Sequence, residues 1–132
     1  MEERRTLEVV HVQTEVTVRY KFLSKERQDP GMDLVHETTS KDISKQGMII
    51  SMRVPNQAWT VELLQRKMYL GLNLLLPAAE NPVKALGEVA WMEAFEDGGE
   101  TTFAGVRFKE IRSDDRDEIF RFLIRAQGRR TV

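Results

Sequence analysis

The sequence has no cysteine, two histidines and four prolines in 132 residues. Without cysteine there is no disulfide framework, no thiolate metal site and no cysteine nucleophile. His11 and His36 are the full histidine complement, so a zinc site would need carboxylates to complete its coordination. An excess of one charge is also missing: 20 Lys and Arg stand against 21 Asp and Glu, a formal net charge of −1. A general nucleic-acid coat needs a strong basic excess, so DNA is not an expected partner. Purely apolar runs stop at about four residues, against the ~20 that a membrane-spanning helix requires, so no membrane insertion is expected. The start, Met1-Glu2-Glu3-Arg4-Arg5, leads into no apolar stretch. It reads as no signal peptide, and a cytoplasmic location is the expectation.

What is present suits one folded domain. At 41% hydrophobic and 31% charged, a chain of this length can bury a core. Enzyme signatures are absent: there is no GxGxxG, no phosphate-binding P-loop, no GxSxG and no HExxH. Carboxylates are plentiful, but they fall on faces expected to be solvated. The chain is therefore not expected to be an enzyme or to carry a cofactor.

Period-2 alternation dominates the chain. In residues 7–23, Val10, Val12, Thr14, Val16, Val18, Tyr20 and Phe22 share one parity, and Glu15, Thr17, Arg19 and Lys21 the other. That predicts a strand, with a bend or leading arm before Gln13. Pro30-Gly31 marks a turn. Further strands are predicted over 32–40, 48–54, 67–76, 85–95 and 101–108, with a short extra piece at 59–64. Asp97-Gly98-Gly99 is a hairpin signal. Val89 and Trp91 share a parity, which predicts Trp91 in the core. Met48, Met52, Met68 and Met92 read as core filling.

The period changes near the end. Ile119, Phe120, Leu123 and Ile124 recur at helical spacing, forming one apolar stripe. Ser113 is the expected N-cap, Asp114 and Asp115 suit the positive end of the helix dipole, and Gly128 suits the residue after the last turn. The fold class is all-β: a six-stranded antiparallel β-barrel with one C-terminal α-helix over an open end or a face. An N-terminal arm, 1–12, precedes a barrel domain, 13–128.

Two features carry chemistry. Asp42-Ile43-Ser44-Lys45-Gln46-Gly47 has the pattern D-x-S-x-x-G between two predicted strands. An ionised Asp42 can accept two parallel hydrogen bonds, as from the N1–H and N2–H₂ edge of guanine. Ser44 can donate to a phosphate oxygen or cap the turn. Gly47 permits positive φ or close backbone approach to a ligand. The same residues also suit a turn with no ligand. The second feature is Arg4-Arg5, whose guanidinium groups can grip phosphates and stack on purines, or stand solvated at a terminus.

Together these features resemble the PilZ domain family, bacterial receptors for cyclic di-GMP. Val18-Arg19-Tyr20-Lys21-Phe22-Leu23 is similar to the family's first barrel strand. Asp42 to Gly47 resembles its [DN]-x-S-x-x-G motif, running into Met48-Ile49-Ile50. Leu72-Asn73-Leu74-Leu75-Leu76-Pro77, Gly87-Glu88-Val89-Ala90-Trp91-Met92 and Gly105-Val106-Arg107-Phe108 resemble later strands, and Asp114-Asp115-Arg116 the start of the helix. The matches are collinear from about residue 16 to residue 125. The family's other motif, R-x-x-x-R before the first strand, is broken. Arg5 is followed four residues later by Val9, and Arg4 by Glu8.

The resemblance implies a bacterial signalling effector that binds the second messenger cyclic di-GMP and passes the signal to a protein partner. Arg4, Arg5, His11, Asp42, Ser44 and Gly47 are the implied ligand-binding residues. The broken arginine motif keeps an alternative open: an adaptor that binds no nucleotide. It would dock to a motility, secretion or signalling protein through an exposed strand edge or the C-terminal helix. A homodimer is possible on either reading.

Overall fold

The structure is a computed structural model that describes residues 15–93 and 101–130. Six strands form a closed barrel in the order β1-β2-β3-β6-β5-β4. They are β1 (Val16–Leu23), β2 (His36–Ile43), β3 (Gly47–Arg53), β4 (Tyr69–Leu75), β5 (Val83–Met92) and β6 (Thr101–Ile111). Two helices accompany them, α1 (Gln57–Leu64) between β3 and β4, and α2 (Ser113–Arg130) after β6. Every neighbouring pair is antiparallel. Closure comes from β1 pairing with β4, Val18 opposite Leu74 and Phe22 opposite Leu70. A closed barrel offers no edge strand, so docking through an exposed strand edge is corrected: the described strands have none.

Alternation fills the barrel. Val16, Val18, Tyr20 and Phe22 of β1 point inward with Met48, Ile50 and Met52 of β3 and Leu70, Leu72 and Leu74 of β4. Thr102, Ala104, Val106 and Phe108 do the same from β6. The expected methionine core holds: Met48, Met52 and Met68 are buried, and Met92 is partly buried against it.

The barrel has one helix more than the sequence pattern predicted. The expected strand piece at 59–64 is helical, because Asn56 caps it: its Oδ1 accepts from the Ala58 N–H at 2.9 Å. Trp59 and Leu63, one turn apart, are both buried. The helix ends with Arg66 in the left-handed region (φ 61). There the Lys67 N–H donates to the Glu62 carbonyl and the Arg66 N–H to that of Leu63, closing the last turn. Residues 32–35, expected within the second strand, form turn and coil instead, and Leu34 and Val35 are exposed.

The C-terminal helix is rotated from the expected stripe. Ile119, Phe122, Leu123 and Ala126 are buried, while Phe120 and Ile124 face out. Its first intrahelical bond runs from the Arg116 N–H to the Arg112 carbonyl, so Arg112, not Ser113, is the capping residue. Gly128 lies inside the helix rather than past its end. No helix among the described residues is long and apolar enough to cross a membrane.

Candidate functional site

The β2–β3 connection is a tight turn. The Ser44 N–H donates to the Gly47 carbonyl at 2.8 Å, and the Gln46 N–H donates to Ser44 Oγ at 3.2 Å. Ser44 is buried, with Oγ 3.4 Å from both the Gly47 carbonyl oxygen and Gln46 Oε1. Its hydroxyl therefore serves the turn. The Phe108 N–H donates to the Gln46 carbonyl at 2.8 Å and ties the turn to β6. Gly47 does not use positive φ; among the described glycines Gly31 does. Its need is space. A Cβ on Gly47 would fall 2.2 Å from the Val106 carbonyl oxygen, so close backbone approach is to β6.

Two β-bulges aim the site. In β2, Ser40 pairs with Ile50 but Asp42 with Ile49, so one residue is extra. Regular alternation from buried Ser40 would send Asp42 into the barrel. The bulge turns Asp42 to a half-buried outer position and lets Ile43 go inward. Ser40 steadies the irregularity by donating to the Ile49 carbonyl at 2.9 Å. In β5 the register shifts between Val89 and Trp91, which pair with Val106 and Gly105. Val89 is buried, yet Trp91 is 41% exposed. The expectation of a core Trp91 is thus corrected: the bulge at Ala90 carries the indole to the outside. Bulges insert one residue and re-aim the side chains beyond it.

The outward residues meet in one cleft of about 430 Å³, within the usual range for ligand pockets. Asp42, Ser44 and Gly47 line one side, Trp91 and Gly105 another, and Arg107 stands beside them. Gly105 lets the indole lie against β6, since a Cβ there would be 2.2 Å from Trp91 Nε1. Arg107 is held by Glu88, with Nη2 2.7 Å and Nε 3.0 Å from Oε2. These hydrogen bonds, with the nearby charges of Arg66 and Lys109, hold the Glu88 carboxyl below the usual carboxylate range despite its burial. The cleft thus gathers a carboxylate, an exposed indole face and a guanidinium. Those groups suit a planar ligand that carries both N–H donors and negative charge.

Asp42, Ser44 and Gly47 are brought together. Arg4, Arg5 and His11 lie outside the described residues. Trp91 and Arg107 line the same cleft, and the sequence reading does not single them out. Nothing in the sequence pattern sets Arg107 beside Asp42. Trp91 was hidden by the bulge, whose one signal is the break in alternation after Val89. Among the described residues no cluster of His, Asp and Glu is arranged to hold a metal ion.

No curated protein matches the chain in sequence. Solved structures do match in fold. Bacillus subtilis MotI/DgrA, described as an inhibitor of motility, aligns with TM-score 0.64 at 18% identity, over 92% of this chain and 51% of that one. K. pneumonia MrkH in its apo state aligns with TM-score 0.59 at 19% identity, over 92% and 51%. The MrkH–c-di-GMP complex aligns with TM-score 0.57 at 15% identity, over 88% and 49%. The chain therefore spans about half the length of these structures. The PilZ domain family model matches residues 2–125, nearly the whole sequence, and the chain belongs to the PilZ domain family.

Proposed function

We propose that this PilZ domain is a receptor, not an enzyme, that binds cyclic di-GMP in the Asp42–Trp91 cleft and signals to a protein partner in a bacterial cytoplasm. The observation that carries the proposal is the pair of bulges, which turn Asp42 and Trp91 outward into one cleft. Asp42 would accept from the guanine N1–H and N2–H₂ edge, and Trp91 would stack on a base. A base stacked on an aromatic side chain is worth about 1–3 kcal/mol. Arg107 stands where it can meet a phosphate or guanine O6. Arg4, Arg5 and His11 of the arm, 1–12, supply the remaining cations, His11 only when protonated. The binding machinery thus draws on both the arm and the barrel domain, 13–128. The partner is a motility, secretion or signalling protein.

A specific observation favours a second role, the nucleotide-independent adaptor. The Ser44 hydroxyl is engaged within its own turn, so the D-x-S-x-x-G loop is satisfied without a ligand. The broken R-x-x-x-R motif removes one of the cations expected to face phosphate.

Calorimetric titration with cyclic di-GMP at pH 7 separates the two. Saturable binding is expected, weakened roughly ten- to hundredfold in Asp42→Ala, as for a lost charged hydrogen bond of about 1.5–3 kcal/mol. Circular dichroism should show the variant folded. No heat up to about millimolar ligand, above the affinity range of specific recognition, would reject the receptor and leave the adaptor.

A further inference from the structure

A second concavity, of about 480 Å³, lies on another part of the barrel wall and shares no lining residue with the Asp42 cleft. It is framed by Lys21, Lys25 and Lys109 over an apolar floor that includes Leu23, Tyr69 and Leu86. Lys109 Nζ rests 5.6 Å from the Tyr69 ring centroid, a cation–π placement that holds the ammonium over the floor. None of the three lysines has an ion-pair partner among the described residues. By contrast Arg19, Arg27, Arg66, Arg107, Arg112 and Arg121 are all paired. The acidic groups on the wall are Asp33 and Glu110.

Lys21, Gly71, Leu86 and Glu110 lie in one lateral row across β1, β4, β5 and β6. At Gly71 a Cβ would come within 3.1 Å of Leu23 Cδ1, so the missing side chain leaves that space to Leu23. Lys21 also lines an adjoining concavity of about 320 Å³ that adds Gly71, Arg19 and Lys84. The two hollows form a trough, since Lys21 lines both. Four strands about 4.8 Å apart make the row ~14 Å wide, room for several residues of extended chain.

We propose that this trough docks an extended acidic peptide segment of a partner protein, with an apolar side chain seated against Leu23, Tyr69 and Leu86. The chemistry favours a peptide over a phosphate compound. The cations around the apolar floor are flexible lysines, and Arg19 of the adjoining hollow is paired with Glu37, so the floor faces neither an arginine fork nor a cradle of backbone N–H groups. An apolar centre with a charged rim is the anatomy of a protein interface. Lys21, Lys25 and Lys109 supply complementarity to carboxylates and a salt-sensitive encounter. The trough and the cleft have no lining residue in common, and their one electrostatic link is the charge of Lys109 near Glu88, the partner of Arg107.

The test uses the full chain, isotopically labelled, titrated by NMR with an acetylated peptide of alternating glutamate and leucine. Saturable amide shifts are expected around Lys21, Tyr69, Leu86 and Lys109, with affinity in the sub-millimolar range typical of weak docking, falling as salt rises. The double variant Lys21→Glu/Lys109→Glu changes exposed side chains and should keep the fold, visible in its spectrum. It should bind about tenfold or more weakly, since two attractive surface pairs become repulsive. Three outcomes would overturn the proposal: no shifts up to about 2 mM peptide, equal binding by the double variant, or the same saturable shifts from inorganic pyrophosphate alone. Cyclic di-GMP titrated into the single variant Lys21→Glu, which leaves Lys109 beside the Glu88–Arg107 pair, should bind as in the parent, which separates failure here from failure of the receptor.

Discussion

The two tryptophans occupy regions of opposite design. Trp59 sits at the barrel end crossed by α1, 2% exposed, its ring 5.0 Å from that of Phe22. Its Nε1 donates to Asp29 at 2.8 Å, and Asp29 also accepts from Arg27 at 2.6 Å. Those two donors hold the Asp29 carboxyl below its usual range, the Trp59 bond being the larger cause. Arg27 reaches on to Glu62 of α1 at 3.1 Å. The end is thus closed by an aromatic plug whose polar edge is bonded. Trp91, at the cleft, has a face in solvent and a bulge beneath it. One region puts an indole to work on stability. The other leaves apolar area exposed, which a fold tolerates at a place meant for contact.

The largest effect should come from the plug. Trp59→Ala should destabilise by about 3–5 kcal/mol, as for other buried aromatic truncations, read by urea unfolding. Trp91→Ala should change stability by less than about 1 kcal/mol, as at other exposed positions. Equal losses at the two sites would break the contrast.

Gly47→Ala tests how tightly the cleft is built. Its Cβ would strike the Val106 carbonyl oxygen, backbone that cannot turn aside. A loss of about 1–3 kcal/mol is expected, the range for overpacking, with weakened cyclic di-GMP binding as the turn shifts. Unchanged stability would mean that the β3–β6 contact gives more readily than its geometry indicates.

Trp91→Ala should still weaken cyclic di-GMP by about 1–3 kcal/mol, roughly five- to hundredfold, if the indole stacks on a base. Unaltered affinity on calorimetry would remove Trp91 from the site and leave it a neutral surface residue.

The smallest effect sharpens the plug itself. His36 stacks on Tyr20 at 5.1 Å and meets Phe22 edge-on at 5.7 Å. Its buried Nε2 has no hydrogen-bond partner among the described residues. Burial, with help from the Arg53 charge, lowers its pKa below the ordinary value. The unfolded chain therefore takes up the proton first. The stabilising contribution is complete above pH ~6.5 and is lost as pH falls from there toward the lowered folded value. The slope cannot exceed about 1.4 kcal/mol per pH unit for one proton. Urea midpoints from pH 7.5 to 5 should show it, and His36→Phe should flatten that arm. An unaltered slope would assign the acid sensitivity elsewhere. Glu88 contributes only lower, because its depressed pKa is lost at more acidic pH.

Much of the fold was legible because the barrel is made of alternation. Parity in Val16 to Phe22 picks out the buried face of the first strand, and turn chemistry separates the strands. The D-x-S-x-x-G turn was legible for the same reason, its hydrogen bonds being local. The misreadings share a cause. Trp59 to Leu64 is short and apolar, so strand and helix patterns overlap, and the Asn56 cap decides between them. In α2 the stripe was placed one position off, since Phe120 and Ile124 repeat at helical spacing as well as Phe122 and Ala126 do. Only packing against β5 selects the buried face.

The family resemblance, the alternation within regular strands and the turn that carries Asp42, Ser44 and Gly47 are legible in the chain alone, because periodicity and short-range hydrogen bonding act between near neighbours. The outward facing of Asp42 and Trp91, the place of Arg107 beside them and the hollow framed by three lysines arise in the folded barrel. Those outcomes depend on how one strand registers against the next, and a single extra residue in a ladder reverses which side of the barrel its successors occupy.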